Sequence, residues 1–163
     1  MNFHHNEVNI KDYKRGLNLN SGIHTVTYKI GDTTFKRECI ASNPDDVIIM
    51  NITSDKKNSI STDVFLNLLR QPSNIRIEDK QLIFDGQALF KNTKGGVLFE
   101  GRVAVLPKGG KIEYDSDTIK VIKANELTLI IDVRTNYKNE KYKDKCNSTV
   151  DKVSRIKYNN IKE

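Results

Sequence analysis

Tryptophan is absent from this chain of 163 residues, which also has only two cysteines and three histidines. Two cysteines are too few for a disulfide framework. We expect Cys39 to be a small buried residue on a strand and Cys146 to lie in a polar tail, with a bridge between them as the minor alternative. His4, His5 and His24 lack the spaced cysteines or carboxylates of a metal centre. The sequence therefore predicts no metal site.

Long apolar runs are also missing. No stretch approaches the roughly 20 apolar residues that a bilayer-spanning helix needs. The first residues, Met1 to His5, lack the basic-then-apolar order of a signal peptide. The sequence therefore predicts no membrane partner. Either the chain stays in the cytoplasm or it is a piece of a longer chain, so its location stays open.

The formal net charge of +6 raises the question of nucleic-acid binding, which needs cations gathered on one face with aromatics between them. Here the cations are spread along the chain. The densest group is Lys138, Lys141, Lys143 and Lys145, which we interpret as a solvated linker. We predict no nucleic-acid partner.

Catalytic motifs are scarce as well. The sequence has no glycine-rich phosphate loop and no nucleophile elbow, so it predicts no cofactor site. Most carboxylates fall in turns, where aspartate caps its own backbone. Glu100 and Arg102 share one strand face, as do Asp132 and Arg134, and each pair is predicted to be a structural ion pair. The carboxylates considered for catalysis are Asp45, Asp46, Asp79, Asp85, Glu100, Asp115 and Asp117. We predict no catalytic residue among them.

Alternation of apolar and polar residues is the main feature that the sequence does have. It recurs in short stretches separated by turn residues, which predicts an all-β antiparallel β-sandwich with a short C-terminal helical or irregular tail. A helix is predicted to start at Thr149. The predicted strands are Ile23–Ile30, Thr33–Ile40, Val47–Thr53, Ile60–Leu68, Gln81–Phe84, Val97–Leu106, Lys111–Tyr114, Thr118–Ile122 and Glu126–Thr135.

One of these strands breaks the alternation. Val47-Ile48-Ile49-Met50 is apolar at every position, which is typical of a strand covered on both faces. A two-layer sandwich covers only one face of each strand. We therefore expect a larger, curved sandwich or a partner surface that this chain does not include. The sequons at Asn51 and Asn147 are predicted to be unglycosylated.

The order of these segments resembles the N-terminal domain of glycoside hydrolase family 95, the 1,2-α-L-fucosidases. The similarity runs from Asp12 to Lys138 and includes "LIFDGQA", "GGVLFEGRVAVLPKGGKI" and "ANELTLIIDVRTNYK". One departure is Gly16, where the family usually has an acidic residue. The residues that match the family pattern in the first part are Tyr13, Arg15, Leu17, Leu19, Gly22, Arg37, Glu38, Ala41, Ser42, Pro44, Asp45, Val47 and Ile48.

The resemblance implies a supersandwich-like fold, with a frayed start over 1–11, the β-sandwich domain over 12–138, and a linker over 139–163 leading to a missing (α/α)6 barrel. It implies a chain truncated at both ends. It also implies that inverting hydrolysis of α-L-fucosides resides in that barrel, so that this domain has no catalytic residue of its own. The implied partners are the barrel and, in the parent enzyme, a fucosylated glycan. The parent family is often secreted or periplasmic.

Two alternatives stay open. The first is a stand-alone carbohydrate-binding module, which needs exposed aromatic platforms. Phe35, Phe65 and Phe99 are predicted to point inward. Tyr13, Tyr114, Tyr137 and Tyr142 are the candidate platforms. The second is catalysis by the turn carboxylates themselves. Because the family's opening strands have no counterpart here, we also expect self-association through exposed sheet edges.

Overall fold

The computed structural model describes residues 2–3, 9–67, 73–88 and 95–162. Within these residues the chain forms twelve strands and two helices. The strands are β1 Asn2–Phe3, β2 Ile10–Asn18, β3 Ile23–Ile30, β4 Thr33–Ser42, β5 Val47–Ser54, β6 Ile60–Phe65, β7 Ser73–Glu78, β8 Gln81–Gln87, β9 Leu98–Lys108, β10 Lys111–Tyr114, β11 Thr118–Ala124 and β12 Glu126–Thr135. The helices are α1 Tyr142–Val153 and α2 Tyr158–Ile161.

The strands form two sheets of unequal size. The large sheet has the order β2-β3-β4-β5-β12-β9-β8-β7, and the small sheet has the order β1-β6-β11-β10. Neighbouring strands pair antiparallel throughout both sheets. The predicted fold class, an antiparallel β-sandwich with a short C-terminal helix, is therefore confirmed.

The hairpin between β3 and β4 shows how local sequence fixes the register. Gly31 has a φ of 55° and is the first residue of a two-residue turn, a position where a left-handed conformation matches the twist of the flanking strands. The turn pairs Ile30 with Thr33 and Tyr28 with Phe35. The rings of Tyr28 and Phe35 stack with their centroids 5.4 Å apart, on the face that the small sheet covers.

The main core lies between the two sheets. Alternate residues of each strand enter it, as the period of two requires. Gly101 of β9 is part of this packing, because a Cβ atom built there would come within 2.0 Å of the Phe84 ring. The buried residues of this core are Val26, Tyr28, Phe35, Ile52, Ile60, Val64, Leu82, Phe84, Val103, Val105, Ile119, Val121, Ala124, Leu127 and Leu129.

A second core lies on the opposite face of the large sheet and accounts for part of the apolar run Val47–Met50 in β5. Ile49 is 0% exposed and packs in a cluster that includes Val150 and Val153 of α1 and Tyr158 of α2. The prediction that Val47–Met50 is covered on both faces is confirmed at Val47 and Ile49 and wrong at Ile48, which is 47% exposed. The expectation that a partner surface supplies the second cover is wrong at Ile49, because the chain's own helices supply it.

Several local predictions need correction. The C-terminal helix begins at Tyr142 and not at Thr149. The strand predicted over Ile60–Leu68 ends at Phe65, which is 41% exposed and does not point inward; Leu68 lies outside the described residues. Neither of the helices described above is long and apolar enough to cross a membrane.

Candidate functional site

A layer of ion pairs lies on the large sheet beneath the first half of α1. Its most buried member is Glu100 of β9, which is 1% exposed. The Glu100 carboxylate lies 2.8 Å from Arg102 Nε, 3.7 Å from an Arg76 nitrogen and 3.8 Å from Lys143 Nζ. Arg102 also donates to Asn147 Oδ1 of α1 at 2.9 Å. The predicted Glu100–Arg102 ion pair is present, and it ties the helix to the sheet.

A second ion-pair group lies at the end of β12. Arg134 Nε is 2.8 Å from Asp132 Oδ2, and Arg134 Nη1 is 2.6 Å from Asp46 Oδ2. Burial raises the pKa of Asp132 above its ordinary value, although the bound Arg134 guanidinium acts in the opposite direction. The arrangement fixes the turn between β4 and β5 against β12. The predicted Asp132–Arg134 ion pair is therefore also present.

Cys146 lies between these two ion-pair groups and not in a solvated tail. It is 0% exposed, and its Sγ–H faces the backbone carbonyls of Glu100 at 3.8 Å and Asp132 at 3.6 Å. Burial, together with the Asp132 and Glu100 carboxylates, raises the thiol pKa to about 12. Cys39 is half-buried, and both thiols are free.

The other candidate carboxylates are spread over the surface and serve local structure. Asp45 Oδ2 accepts a hydrogen bond from Ser42 Oγ at 2.7 Å. Asp85 is bound by Arg76. Asp115 accepts from the Ser116 backbone N–H at 2.9 Å and from Lys120 at 3.2 Å, so its pKa is lowered. Asp117 accepts from Thr118 Oγ1 at 3.0 Å, and Asp79 occupies a turn with a φ of 50°.

Metal and glycosylation signals do not gain structural support. No group of three or more metal-ligating side chains occurs among the described residues. His24 is exposed on β3, whereas His4 and His5 lie outside the described residues. Asn51 is 3% exposed and its Nδ2 donates to Glu126 and Thr128, each at 2.9 Å. An asparagine amide that is buried and donates two hydrogen bonds is not accessible for glycosylation.

An apolar stretch of the large sheet remains exposed at the end of the main core. It consists of Ala41, Ile48, Ile131 and Val133, which we call the open row. Pairing places Ala41 opposite Ile48 and Ile48 opposite Ile131 on one face. Ile48 is 47% and Val133 is 51% exposed. The open row lines a groove of about 400 Å³, which suits contact with another apolar surface.

The aromatic candidates divide by exposure. Tyr142 is 8% exposed, so its prediction as a platform is wrong. Tyr13, Tyr114 and Tyr137 are 55%, 43% and 76% exposed. Sequence reasoning missed the environment of Tyr114, which shares a cleft with Gln81 and Asp151. Such a cleft joins residues far apart in the chain, so the only signal in the sequence is the tyrosine itself.

Comparison with known proteins identifies the family that this chain matches. The family model described as "Glycosyl hydrolase family 65, N-terminal domain" matches residues 1–140. The chain is 28% identical over 133 residues to "Probable alpha-fucosidase A" of Aspergillus niger and 35% identical over 83 residues to "Alpha-L-fucosidase 2" of Arabidopsis thaliana. These matches cover 78% and 50% of this chain but only 16% and 10% of those relatives.

A solved structure supports the fold alone. A protein from the human microbiome, titled as a kojibiose phosphorylase, superposes with a TM-score of 0.64 at 14% identity. The match covers 96% of this chain and 24% of that protein. The sandwich together with its helices is therefore a recurring architecture, found there as part of a much longer chain.

Proposed function

The chain belongs to the family of glycosyl hydrolase family 65 N-terminal domains, and on this premise we propose that it is the non-catalytic β-sandwich domain of an α-L-fucosidase-like glycoside hydrolase. The fucosidase assignment is supported by the names of both curated relatives and by the resemblance to family 95 over 12–138. In this proposal the domain braces a catalytic domain and does not itself cut the glycosidic bond.

The state of the buried carboxylates is the observation that carries this proposal. Inverting glycosidases need a general acid and a general base that flank the sugar. Glu100 and Asp132 are 1% and 5% exposed and are held by arginines. The raised pKa of Asp132 is a feature that catalytic acids share with structural ion pairs. Because Asp132 is bound to Arg134 and shielded from solvent, we assign it a structural role.

We place the inverting hydrolysis of α-L-fucosides in a helical barrel domain outside this sequence, and we propose that residues 139–163, whose helix α1 packs on the large sheet, lead toward it. The length of the curated relatives supports this arrangement, since their matches cover at most 16% of them. We propose that the open row contacts that barrel. Contact would remove Ile48 and Val133 from water, which favours docking at roughly 25 cal/mol per Å² of apolar area.

The coding DNA on either side of this segment tests the proposal directly. We expect an open reading frame that continues into sequence with the repeated amphipathic helices of a barrel. In-frame stop codons immediately next to both ends would contradict it and favour a stand-alone carbohydrate-binding module. That alternative is supported by one observation, the exposed tyrosines.

A further inference from the structure

A cleft of about 420 Å³ lies at the corner where α1 crosses the large sheet and meets β10. We call it the α1–β10 cleft. It opens between the start of β8, the end of β9, β10 and the last turns of α1. Its lining includes Gln81, Leu106, Pro107, Ile112, Tyr114 and Asp151. No role in the proposed bracing function requires this cleft.

The Gln81 side chain in this lining is only half satisfied. Gln81 is 7% exposed, and its Nε2 donates to Asp151 Oδ1 at 2.8 Å. Its Oε1 is buried and finds no donor among the residues that the structure describes. A buried acceptor without a donor is costly, and in native proteins such an atom calls for an explanation. A ligand hydroxyl is a donor of the right kind.

Tyr114 gives the cleft an apolar wall. Tyr114 is 43% exposed, and Ile112 and Pro107 extend the apolar lining beside it. A sugar ring combines an apolar C–H face, which packs on an aromatic ring, with hydroxyl groups that bond amides and carboxylates. The combination of Tyr114 with Gln81 and Asp151 offers both kinds of contact within one cleft.

We propose that the α1–β10 cleft binds a neutral saccharide ring. The C–H face of the sugar packs on the Tyr114 ring, and its hydroxyls form hydrogen bonds with Gln81 and Asp151. The Asp151 carboxylate accepts a hydrogen bond from one sugar hydroxyl, and Gln81 Oε1 accepts a hydrogen bond from another. Because Oε1 is buried without a ligand, this second bond requires a shift of the Gln81 side chain toward the cleft that keeps the hydrogen bond from Nε2 to Asp151. The charged groups in the lining are Asp79, Lys80 and Asp151, which form no concentration of one sign and favour a neutral ligand.

The other exposed tyrosines lack this environment. Tyr137 is 76% exposed and lines a different groove with Val133, Lys138 and Asn139. Among the described residues, none of the buried unsatisfied side-chain atoms belongs to the lining of that groove. Tyr137 is therefore a matched control for Tyr114, since both are solvent-exposed tyrosines on the same chain.

Titration of the ¹⁵N-labelled 163-residue chain with L-fucose, D-glucose and 2′-fucosyllactose tests the proposal by NMR. We expect saturable chemical-shift changes for the Gln81 side-chain amide and for the backbone amides of Ile112 and Tyr114, with a dissociation constant in the millimolar range. Tyr114→Ala should weaken binding about tenfold, and Gln81→Met about threefold or more. Tyr114→Phe, which keeps the ring, should bind within about twofold of the parent chain.

Two controls separate loss of sugar binding from loss of folding and from binding elsewhere on the surface. Thermal unfolding of every variant checks that it folds, and Tyr137→Ala should leave the affinity unchanged. No saturable shift up to about 50 mM sugar would overturn the proposal, since such binding would be weaker than roughly 2 kcal/mol. Shifts centred on Tyr137, or binding that survives both Tyr114→Ala and Gln81→Met, would also overturn it. The result does not depend on which enzyme the domain serves.

Discussion

Glu100 is the most buried charge among the residues that the structure describes, and its surroundings explain why it is tolerated. A carboxylate that leaves water loses several kcal/mol of hydration, which only close cations and hydrogen bonds offset. Here Arg102 provides a contact of 2.8 Å, with Arg76 and Lys143 further out. The group joins β7, β9 and α1, so its effect is to hold three elements in one arrangement.

Replacement of Glu100 tests this structural role. Glu100→Ala leaves the Arg102 guanidinium buried without its carboxylate, and we expect the free energy of unfolding to fall by about 3–5 kcal/mol. Glu113→Ala removes an exposed carboxylate and should change stability by less than about 0.5 kcal/mol. Urea unfolding followed by far-UV circular dichroism measures both. Equal stability of the two variants would refute the structural role of Glu100.

The burial of Cys146 predicts how its thiol reacts and how it contributes to stability as the pH changes. Because the folded thiol has a pKa of about 12 against an ordinary value of 9.0, the unfolded chain loses this proton first as the pH rises. The contribution of the protonated thiol is therefore complete below pH 9 and is lost as the pH rises toward about 12. In a Cys39→Ala background, we expect Cys146 to react with an aromatic disulfide reagent at pH 8 only when the chain opens.

The rate at which the reagent labels Cys146, measured with and without denaturant, tests this prediction. In guanidinium chloride the same Cys146 thiol should react at the rate of a free cysteine, at least about a hundredfold faster than in the native chain. Cys39 in a Cys146→Ala background is the control, since Cys39 is half-buried and should react faster than Cys146. Rapid native labelling of Cys146 would contradict its burial under α1.

At the scale of elements, helix α1 belongs to the fold of the sandwich. Its buried residues, Tyr142, Cys146, Thr149, Val150 and Val153, follow the spacing of one helical face. The first half of this face lies on the ion pairs, and the second half lies on Ile49, Ala104 and Ile130. Removal of the helix would expose both layers to water.

Two valine substitutions compare a buried position on α1 with an exposed position on the open row. Val150 is 0% and Val133 is 51% exposed. Val150→Ala removes two buried methyl groups and should lower the free energy of unfolding by about 2 kcal/mol. Val133→Ala makes the same chemical change on the open row and should cost about 0.5 kcal/mol or less, mainly through strand propensity. Thermal unfolding compares them, and an equal loss would mean that α1 is not docked in solution.

The strands differ in how well the sequence predicts them. Ile23–Ile30 has one buried and one more exposed face, so alternation reveals it. Glu126–Thr135 is buried on both faces at its centre, where Leu129 lies in the main core and Ile130 lies against α1. Both strands are confirmed with the same bounds. Strand β2 was missed by alternation because all nine of its residues are exposed, which leaves no period of burial. Helix α1 was placed too late because three of its buried positions are tyrosine, cysteine and threonine, which weaken an apolar pattern.

The candidate site shows the same limit of sequence reasoning. Glu100 with Arg102 and Asp132 with Arg134 were predictable, because a spacing of two on a strand places both side chains on one face. Their further partners, Asn147 and Asp46, come from distant segments that only the fold brings close. The α1–β10 cleft was not predictable for the same reason, since Gln81, Tyr114 and Asp151 are far apart in the chain.

At the scale of the whole molecule, we expect the open row to promote association of the isolated chain. Contiguous exposed apolar surface favours contact between copies. We expect the elution volume in size-exclusion chromatography to decrease with protein concentration, and Ile48→Lys to suppress that change. Tyr114→Lys is a control of similar exposure, 43% against 47%, on the small sheet. A monomer at every concentration would contradict the role of the open row as a contact surface.

The central claim is that this sandwich supports an enzyme without performing its chemistry. The most direct measurement is the release of L-fucose from 2′-fucosyllactose by the purified chain at micromolar concentration over a day. The account predicts release equal to a blank without protein, because the buried carboxylates Glu100 and Asp132 are held by arginines. Release clearly above the blank that scales with protein concentration would contradict it.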